Sequence, residues 1–338
     1  MPLAQSTVAT TPADGSFPQI DYAMHPAYGG MFEPDPAKAA RGEAKIAPLA
    51  EESARAQAER LRRLQERGDP GSDLARRVAS EGIARLDGRG AEFDAFAREA
   101  EPLVQFVRQR IEDARDEGEA VTREVAKLWV TRETQAPFFA AATRLLNGAG
   151  ILDTVRRYFG ADGAKVRNLT VVVNQPGQSW HNRLFRDVDV ETPATTGMHI
   201  DTDPACVLKT VIYLSEVGPE QGPFGCVPSS HLWEQDGPTR SRRRACHKAR
   251  LTQLDPDTRH TFASLPASYQ LKASFGGDIP AGSPEGLALL TSEQQTYGPP
   301  GQLSLFDPEM MHRGGHIRSG ERVVVLVGMG AVWSKPDA

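Results

Sequence analysis

Two residues of one short segment, His199 and Asp201, carry side chains that commonly bind metal ions. They stand two positions apart, and alternate side chains of a β-strand point to the same face, so both can reach one ion. A second histidine, His312, follows another strand-like run and completes a set of three ligands. Two imidazoles and one carboxylate, with three coordination positions left open, are the ligand set of non-haem Fe(II) oxygenases. The pattern therefore predicts an iron site.

A basic residue downstream of His312 extends this hypothesis to a cosubstrate. Arg322 opens a strongly apolar, β-branched run. A guanidinium can bind a carboxylate through two parallel hydrogen bonds, and 2-oxoglutarate presents such a carboxylate at C5. Arg318 is a rival for this role, and His316 is the competitor of His312 for the metal.

The segments that must position these residues begin with an irregular part and continue with helices. Residues 1–50 contain proline and glycine throughout, which predicts an irregular N-terminal arm. The pattern of residues 51–165 predicts a helical approach, that is, a mainly helical region before the β core, with one edge strand. Within it, residues 120–129 fit a helix or a strand equally well. The individual elements are a charged helix Glu51–Arg67, a helix Asp73–Ser80, the edge strand Gly82–Leu86, a long helix with an apolar face from Phe96 to Ala114, and two helices between Pro137 and Phe159 divided at residues 147–150.

From residue 166 the chain changes to β-branched runs bounded by glycine and proline. Such runs, without helices between them, indicate an antiparallel β core over residues 166–335. Asn174 and Thr210 lie on strands expected to line this core, and either is expected to help bind 2-oxoglutarate. Residues 234–298 interrupt the core as a lid-like insertion. Its basic run Arg240–Arg244 predicts either a solvated face or a clamp for an anionic substrate.

The order of these pieces resembles the phytanoyl-CoA dioxygenase family within the Fe(II)/2-oxoglutarate-dependent oxygenases. The resemblance runs from Val166 to Trp333, and the helical approach from Gly82 is similar too. The matching segments are Asn174–Gly177, His199–Asp201, Lys209–Leu214, Gly222–Pro223, Val227–His231, Pro300–Asp307 and Met311–Gly315, followed by Arg322. There are two departures. Ser229 replaces the usual glycine of a Pro-Gly-Ser-His hairpin, and the separation of His312 from Arg322 is one residue shorter than in much of the family.

The resemblance implies a mainly β fold with flanking helices: a double-stranded β-helix (jelly roll, cupin-like) core wrapped by N-terminal helices. The whole of residues 51–338 then forms a single dioxygenase domain. It implies Fe(II) bound by His199, Asp201 and His312, with Arg322 as the salt-bridge partner of 2-oxoglutarate and with O2 as a further reactant. A small organic molecule is oxidised while 2-oxoglutarate is decarboxylated to succinate and CO2. Because related halogenases lack the carboxylate ligand that Asp201 supplies, hydroxylation, desaturation or ring formation is favoured over halogenation.

Composition limits the partners and the location. The 338 residues carry a net charge of -5, which gives no reason to expect nucleic acid or an anionic membrane as a partner. No apolar run approaches the roughly 18 residues needed to span a bilayer, and a secretory signal is not evident. Three cysteines are too few for a disulfide scaffold and suit a reducing cytoplasm. The oligomeric state is not predicted.

Two other functions fit parts of the pattern. A metal-dependent hydrolase or isomerase on the same barrel would use the metal ligands, but its reaction would not need Arg322 to bind a dicarboxylate. A non-catalytic jelly-roll binding module has no reason to keep all three ligands. Among the other histidines, His231 is expected to hydrogen-bond the hairpin turn, and His181 either lines the entrance or is an ordinary polar residue.

Overall fold

The helical approach is present as the sequence pattern indicates. The computed structural model of the chain describes residues 33–122, 124–176, 199–201, 206–233, 238–249, 251, 256–266, 269 and 291–333. Within these ranges the helices that precede the main β region are α1 Pro36–Glu66, α2 Asp73–Glu81, α3 Ala91–Asp116, α4 Ala136–Gly148 and α5 Ile151–Phe159. The predicted long helix and the predicted break between α4 and α5 are both confirmed.

The first helix begins much earlier than the pattern of charges predicted. The side chain of Asp35 caps it, because one carboxylate oxygen accepts hydrogen bonds from the backbone N–H groups of Ala37 at 2.8 Å and Lys38 at 3.2 Å. Residues 36–50, expected to belong to the irregular arm, are therefore helical, which corrects that boundary. Residues 1–32 lie outside the described residues.

The strands form two antiparallel sheets. In the described part of the chain they are β1 Ile83–Asp87, β2 Lys127–Val130, β3 Gly163–Asn174, β4 Val207–Tyr213, β5 Phe224–Cys226, β6 Gln294–Thr296, β7 Gln302–Phe306, β8 His312–Gly314 and β9 Arg322–Val332. The larger sheet has the order β1-β7-β4-β9-β3-β2, and the smaller has the order β6-β5-β8. The predicted edge strand is confirmed as β1, and the open segment 120–129 contributes to the strand β2 at the other edge.

The larger sheet buries both of its faces, and β4 shows how they differ. Leu208 and Ile212 belong to the core shared with α3, α4 and α5. Val211 and Tyr213 belong to a separate core that also contains Phe224 of the smaller sheet. Side chains therefore alternate between the helices outside and the space between the sheets. This is the predicted double-stranded β-helix with helices packed around it.

Within the described part of the insertion 234–298, two helices pack on α1, and the end of the insertion supplies strand β6 of the smaller sheet, which corrects its predicted boundary. The helices are α6 Pro238–Ala249 and α7 Pro256–Ser264. Gly42 of α1 approaches Leu265 so closely that a Cβ on this glycine would lie 2.9 Å from Cδ2 of the leucine. A second core fills the space between these helices and the β region, and it contains Ile46, Ile200, Val227, Trp233, Ala245, Cys246, Ala249, Leu251, Phe262, Leu265 and Met311. This packing explains why α1 extends to Pro36.

Two arginines of the insertion are buried. Arg240 is 0 % exposed and Arg244 is 2 % exposed, and both pair with the carboxylate of Glu309. Neither expectation for the run Arg240–Arg244, a solvated face or a substrate clamp, fits these two side chains. Their charge is satisfied inside the protein.

Cys206, Cys226 and Cys246 are buried and free, so they form no disulfide. No helix in the described ranges is long and apolar enough to cross a bilayer.

Candidate metal centre

Backbone pairing brings the two histidines of the predicted iron site together. His199 forms an isolated antiparallel bridge with His312, the first residue of β8. The N–H of His199 donates to the carbonyl of His312 at 3.0 Å, and the reverse bond measures 2.9 Å. Residues paired in this way present their side chains on the same face. The two imidazole centroids are consequently 4.4 Å apart.

The carboxylate of Asp201 completes the group. Its Oδ1 lies 3.4 Å from Nε2 of His199, and its Oδ2 lies 3.2 Å from Nε2 of His312. One ligand atom from each of the three residues lies within 4.8 Å of the others. Donor atoms bound to one ion at about 2.1 Å are no more than about 4.2 Å apart, and each imidazole lies within this limit of a different oxygen of the Asp201 carboxylate. The donor set and its spacing fit an iron site.

Hydrogen bonding orients the His312 ring. Nδ1 lies 2.7 Å from the carbonyl oxygen of Met310, so Nδ1 carries the proton and donates it. Nε2, which faces Asp201, is then the atom with a free electron pair. Burial lowers the pKa of His312, which keeps the imidazole in the neutral form that binds metals. The rings of Phe306 and Phe224 pack beside it, at centroid distances of 4.8 and 5.7 Å.

A lysine stands next to the carboxylate ligand. Lys209 of β4 donates from Nζ to Oδ2 of Asp201 at 2.7 Å. Burial raises the pKa of Asp201, but the charges of Lys209 and His312 and the hydrogen bonds of both histidines together outweigh it and hold that pKa well below the usual value of an aspartic acid. The surroundings of Asp201 therefore favour its ionised form, the form that binds metals.

Arg322 lies buried at the start of β9 with neutral acceptors around it. It is opposite Asn174 in the register of β3 and β9, and the Asn174 Oδ1 accepts from its Nε at 3.2 Å and from its Nη2 at 2.7 Å. Nη1 donates to the carbonyl of Gly222. No aspartate or glutamate among the described residues forms an ion pair with this guanidinium, and burial lowers the pKa of Arg322 to about 10. The site thus holds a cation that lacks an anion.

The position of Arg322 relative to the metal group is set by Gly314. A Cβ on Gly314 would lie 2.8 Å from Nη2 of Arg322, so the guanidinium packs directly on this glycine. Gly314 follows His312 by two residues on β8 and shares its face. The rise along a strand separates the backbone positions of these two residues by about 7 Å, so the guanidinium and His312 lie close together on one face of β8.

The structure leaves several other expected site residues apart from this group. Thr210 pairs with Leu305 and Val327, which belong to the core beneath the helices, so it faces away from the space between the sheets. This corrects the expectation that Thr210 lines the barrel. The side chain of Arg318 is 67 % exposed and pairs with Glu220.

The remaining histidines also lie outside the group. His316 is exposed at the surface, and His231 is buried, with Nε2 3.1 Å from the carbonyl of Ala79 at the end of α2. The latter contact is the structural role expected for the hairpin histidine. His181 falls outside the described residues.

Sequence reasoning missed two residues of the site, Lys209 and Gly314. Lys209 is the one charged residue in the apolar strand β4, and a charged residue in such a strand could have indicated a partner in the site. Gly314 gave no such signal, because its importance comes from a neighbour on another strand.

A comparison with protein families identifies one that spans most of this architecture. The profile of the phytanoyl-CoA dioxygenase (PhyH) family matches residues 81–324, from the end of α2 into β9. The chain belongs to the phytanoyl-CoA dioxygenase family. The match includes all three residues of the metal group and Arg322. As a PhyH protein the chain is an iron- and 2-oxoglutarate-dependent oxygenase, an oxidoreductase.

Solved structures of similar architecture come from several such enzymes. EctD from S. alaskensis, solved with 2-oxoglutarate and 5-hydroxyectoine, is 16% identical over 78% of this chain and 77% of its own, with a TM-score of 0.44. The same enzyme with bound Fe is 17% identical over 80% and 81%, with a TM-score of 0.41. The epimerase SnoN from nogalamycin biosynthesis is 12% identical over 76% and 81%, with a TM-score of 0.39. Among curated protein sequences, nothing matches. These similarities are too low to assign a substrate.

Proposed function

We propose that this PhyH protein oxidises a small organic molecule, by hydroxylation in the first instance, and converts 2-oxoglutarate to succinate and CO2. In this proposal His199, Asp201 and His312 hold Fe(II), and Arg322 binds the C5 carboxylate of 2-oxoglutarate with Asn174 beside it. The observation that carries the proposal is the buried guanidinium of Arg322, which has no acidic partner among the residues that the structure describes and packs on Gly314, on the face of β8 that holds His312.

Contacts within the chain orient two of the proposed ligands, His312 and Asp201. The Met310 carbonyl fixes the tautomer of His312 and leaves Nε2 for the metal. Lys209 favours the ionised form of Asp201 and holds one of its oxygens. Phe224 and Phe306 exclude water from one side of the imidazole. When bound, iron and 2-oxoglutarate supply the oxidising chemistry through the activation of O2.

Asn174 has a positioning role in this proposal. Its Oδ1 accepts two hydrogen bonds from Arg322 and so fixes the plane of the guanidinium without neutralising its charge. A carboxylate that enters the site then meets an oriented cation rather than an existing ion pair. Such a group binds the dicarboxylate with little loss of side-chain entropy.

Two residues bear on the choice among reactions. Asp201 occupies the position that a halogenase leaves open for its halide, which favours hydroxylation, desaturation or ring formation over halogenation. A metal-dependent hydrolase or isomerase would need the metal group but not the buried cation at Arg322. A binding module without catalysis would need neither.

The test is succinate release from 2-oxoglutarate by the purified protein with Fe(II), ascorbate and O2. We expect release that is stimulated by a suitable small-molecule substrate, and its abolition in the His312→Ala variant because one of three ligands is lost. The matched control is His316→Ala, which changes an exposed histidine of the same strand connection. Succinate release that survives in His312→Ala, or is absent from the wild type with bound iron, would reject the proposal.

A further inference from the structure

The segment that joins β7 to His312 is buried throughout. Asp307 and Met310 are 0 % exposed, and Glu309 is 4 % exposed. Two of these residues carry carboxylates, which are costly to bury without partners. The partners come from α1 and from α6 of the insertion. The segment is therefore held by elements that lie far from it in the sequence.

Arg240 of α6 makes the most extensive of these contacts. Its Nε donates to Oε2 of Glu309 at 2.9 Å, and its Nη2 donates to the backbone carbonyl of Glu309, also at 2.9 Å. Its Nη1 donates to the carbonyls of Trp233 at 2.6 Å and His231 at 3.1 Å. Arg244, one helical turn further along α6, donates to the other carboxylate oxygen of Glu309.

These contacts fix the position of the backbone that orients His312. The carbonyl of Glu309 is held by Arg240, and the next carbonyl, that of Met310, accepts the Nδ1 proton of His312. The N–H of Met311 donates to Oγ of Ser230 at 2.8 Å. Ser230 begins the short 3-10 helix Ser230–Leu232, and Arg240 binds the carbonyl of His231 in the same turn. One guanidinium thus connects this 3-10 helix with the segment that carries His312.

The geometry of the Arg240–Glu309 pair is better suited to orienting the backbone of the ligand segment than to stabilising the fold. A buried ion pair costs about as much to desolvate as it returns, and apolar residues of similar volume often replace one without loss of stability. Apolar residues cannot replace the directional hydrogen bonds, because a planar guanidinium orients several acceptors at once. Through the Glu309 carbonyl, these bonds position the Met310 carbonyl and hence the imidazole of His312.

We propose that Arg240 and Glu309 are positioning residues for the metal ligand His312, through which α6 of the insertion sets the orientation of the imidazole. This rests on the proposed function in one respect, that His312 binds iron. Neither residue touches the metal group. Their role is to keep the Met310 carbonyl where it selects the tautomer and the ring plane.

The experiment separates orientation from stability with the triple variant Arg240→Met/Arg244→Met/Glu309→Met, which removes the carboxylate together with both guanidiniums that pair with it and so leaves no member of the group unpaired. Two quantities are measured: the free energy of unfolding of the metal-free protein in urea, and the dissociation constant for Fe(II) under anaerobic conditions. We expect the metal-free stability to stay close to that of the wild type and the Fe(II) affinity to fall about 10- to 100-fold, the usual effect of losing a supporting contact to a ligand. Unchanged Fe(II) affinity in a folded triple variant would overturn the proposal.

Two further variants complete the design. Arg240→Lys keeps the charge but loses the planar donors, so it should fold and bind Fe(II) several-fold more weakly than the wild type. Wild-type affinity in Arg240→Lys would overturn the proposal even if the triple variant does not fold. Lys248→Met is the matched control, because Lys248 lies on the same helix and pairs with the exposed Glu52 of α1. It should leave Fe(II) affinity unchanged, and an equal loss in this control would count against a specific role of Arg240. A wild-type protein that binds no Fe(II) would reject the proposed function itself, and the positioning role with it.

Discussion

The guanidinium of Arg322 packs against Gly314, where any side chain would collide with it: a Cβ would lie 2.8 Å from Nη2 and 3.3 Å from Nη1. Gly314 lies on β8 of the smaller sheet and Arg322 on β9 of the larger sheet, so the contact joins the two sheets two residues from His312. It also makes the proposed cosubstrate site sensitive to a single methyl group.

We expect Gly314→Ala to raise the KM for 2-oxoglutarate about 10- to 100-fold, because displacing a packed side chain costs about 1–3 kcal/mol. Fe(II) affinity should change little, since the metal ligands are not displaced. Steady-state succinate release measures the first quantity, and anaerobic metal titration the second. Gly148→Ala is the control, as a Cβ there meets no atom nearer than 4.0 Å. An unchanged KM in Gly314→Ala would show that the cosubstrate does not depend on this contact.

Removing the cation itself should have a larger effect. Arg322→Ala loses charge-assisted hydrogen bonds worth about 3 kcal/mol, which corresponds to a rise of about 100-fold in the KM for 2-oxoglutarate. Arg318→Ala removes an exposed arginine a few residues earlier and should behave as the wild type. If instead Arg318→Ala shows the defect and Arg322→Ala does not, the two assignments must be exchanged.

Lys209 offers a test of how the carboxylate ligand is held. In Lys209→Met the Oδ2 of Asp201 loses a 2.7 Å hydrogen bond from an ammonium group, so the ligand is less fixed. We expect Fe(II) affinity to fall about tenfold, as for other supporting contacts of metal ligands. Lys165→Met, on the exposed side of β3, is the matched control. Tighter Fe(II) binding in Lys209→Met would mean that the lysine competes with the metal for Asp201 rather than supporting it.

The ion pair of Arg60 with Asp307 predicts a pH dependence of stability. Burial raises the pKa of Asp307, but the charge of Arg60, the hydrogen bond from Tyr158 and the charges of His231 and Arg240 together outweigh it, and the pKa lies below its ordinary value. A carboxyl whose pKa is lowered by folding stabilises the protein above the unfolded-state value, about 3.9, and this contribution is lost as the pH falls through the folded-state pKa. Urea unfolding of the wild type should therefore show a falling free energy of unfolding on acidification.

The variant Asp307→Asn isolates that contribution. At neutral pH it should be about 3–5 kcal/mol less stable, because Arg60 remains buried without its partner. The difference from the wild type should shrink as the pH falls below about 4. Asp257→Asn, which changes an exposed carboxylate paired with Lys38, is the control and should follow the wild type. A difference that stays constant over the whole range would show that Asp307 does not titrate as described.

The sequence alone determined the class of fold and the chemistry of the centre. The period of two that places His199 and Asp201 on one face is a property of any β-strand, so it needs no knowledge of neighbours. The division of α4 from α5 was equally readable, because glycine marks the break. The edge strand β1 followed from a short apolar run before a helix. These signals depend only on residues close together in the sequence, so they can be recognised without knowing the tertiary structure.

The tertiary structure decided what depends on partners that are distant in the chain. The sequence could not show which residues of β4 face the helices and which face the space between the sheets. All but one of its residues are buried, so polar and apolar residues do not alternate along it, and Thr210 was assigned to the wrong face. Arg240 meets Glu309 across 69 positions of sequence, and charge alone suggested solvent or substrate for it. The early start of α1 was hidden by Gly42 and Pro48, although the capping residue Asp35 and the following Pro36 are local signals of a helix start, and burial against α6 and α7 holds this part in place. For Thr210 and Arg240 the energy that decides lies in a contact between elements, and no local pattern encodes it.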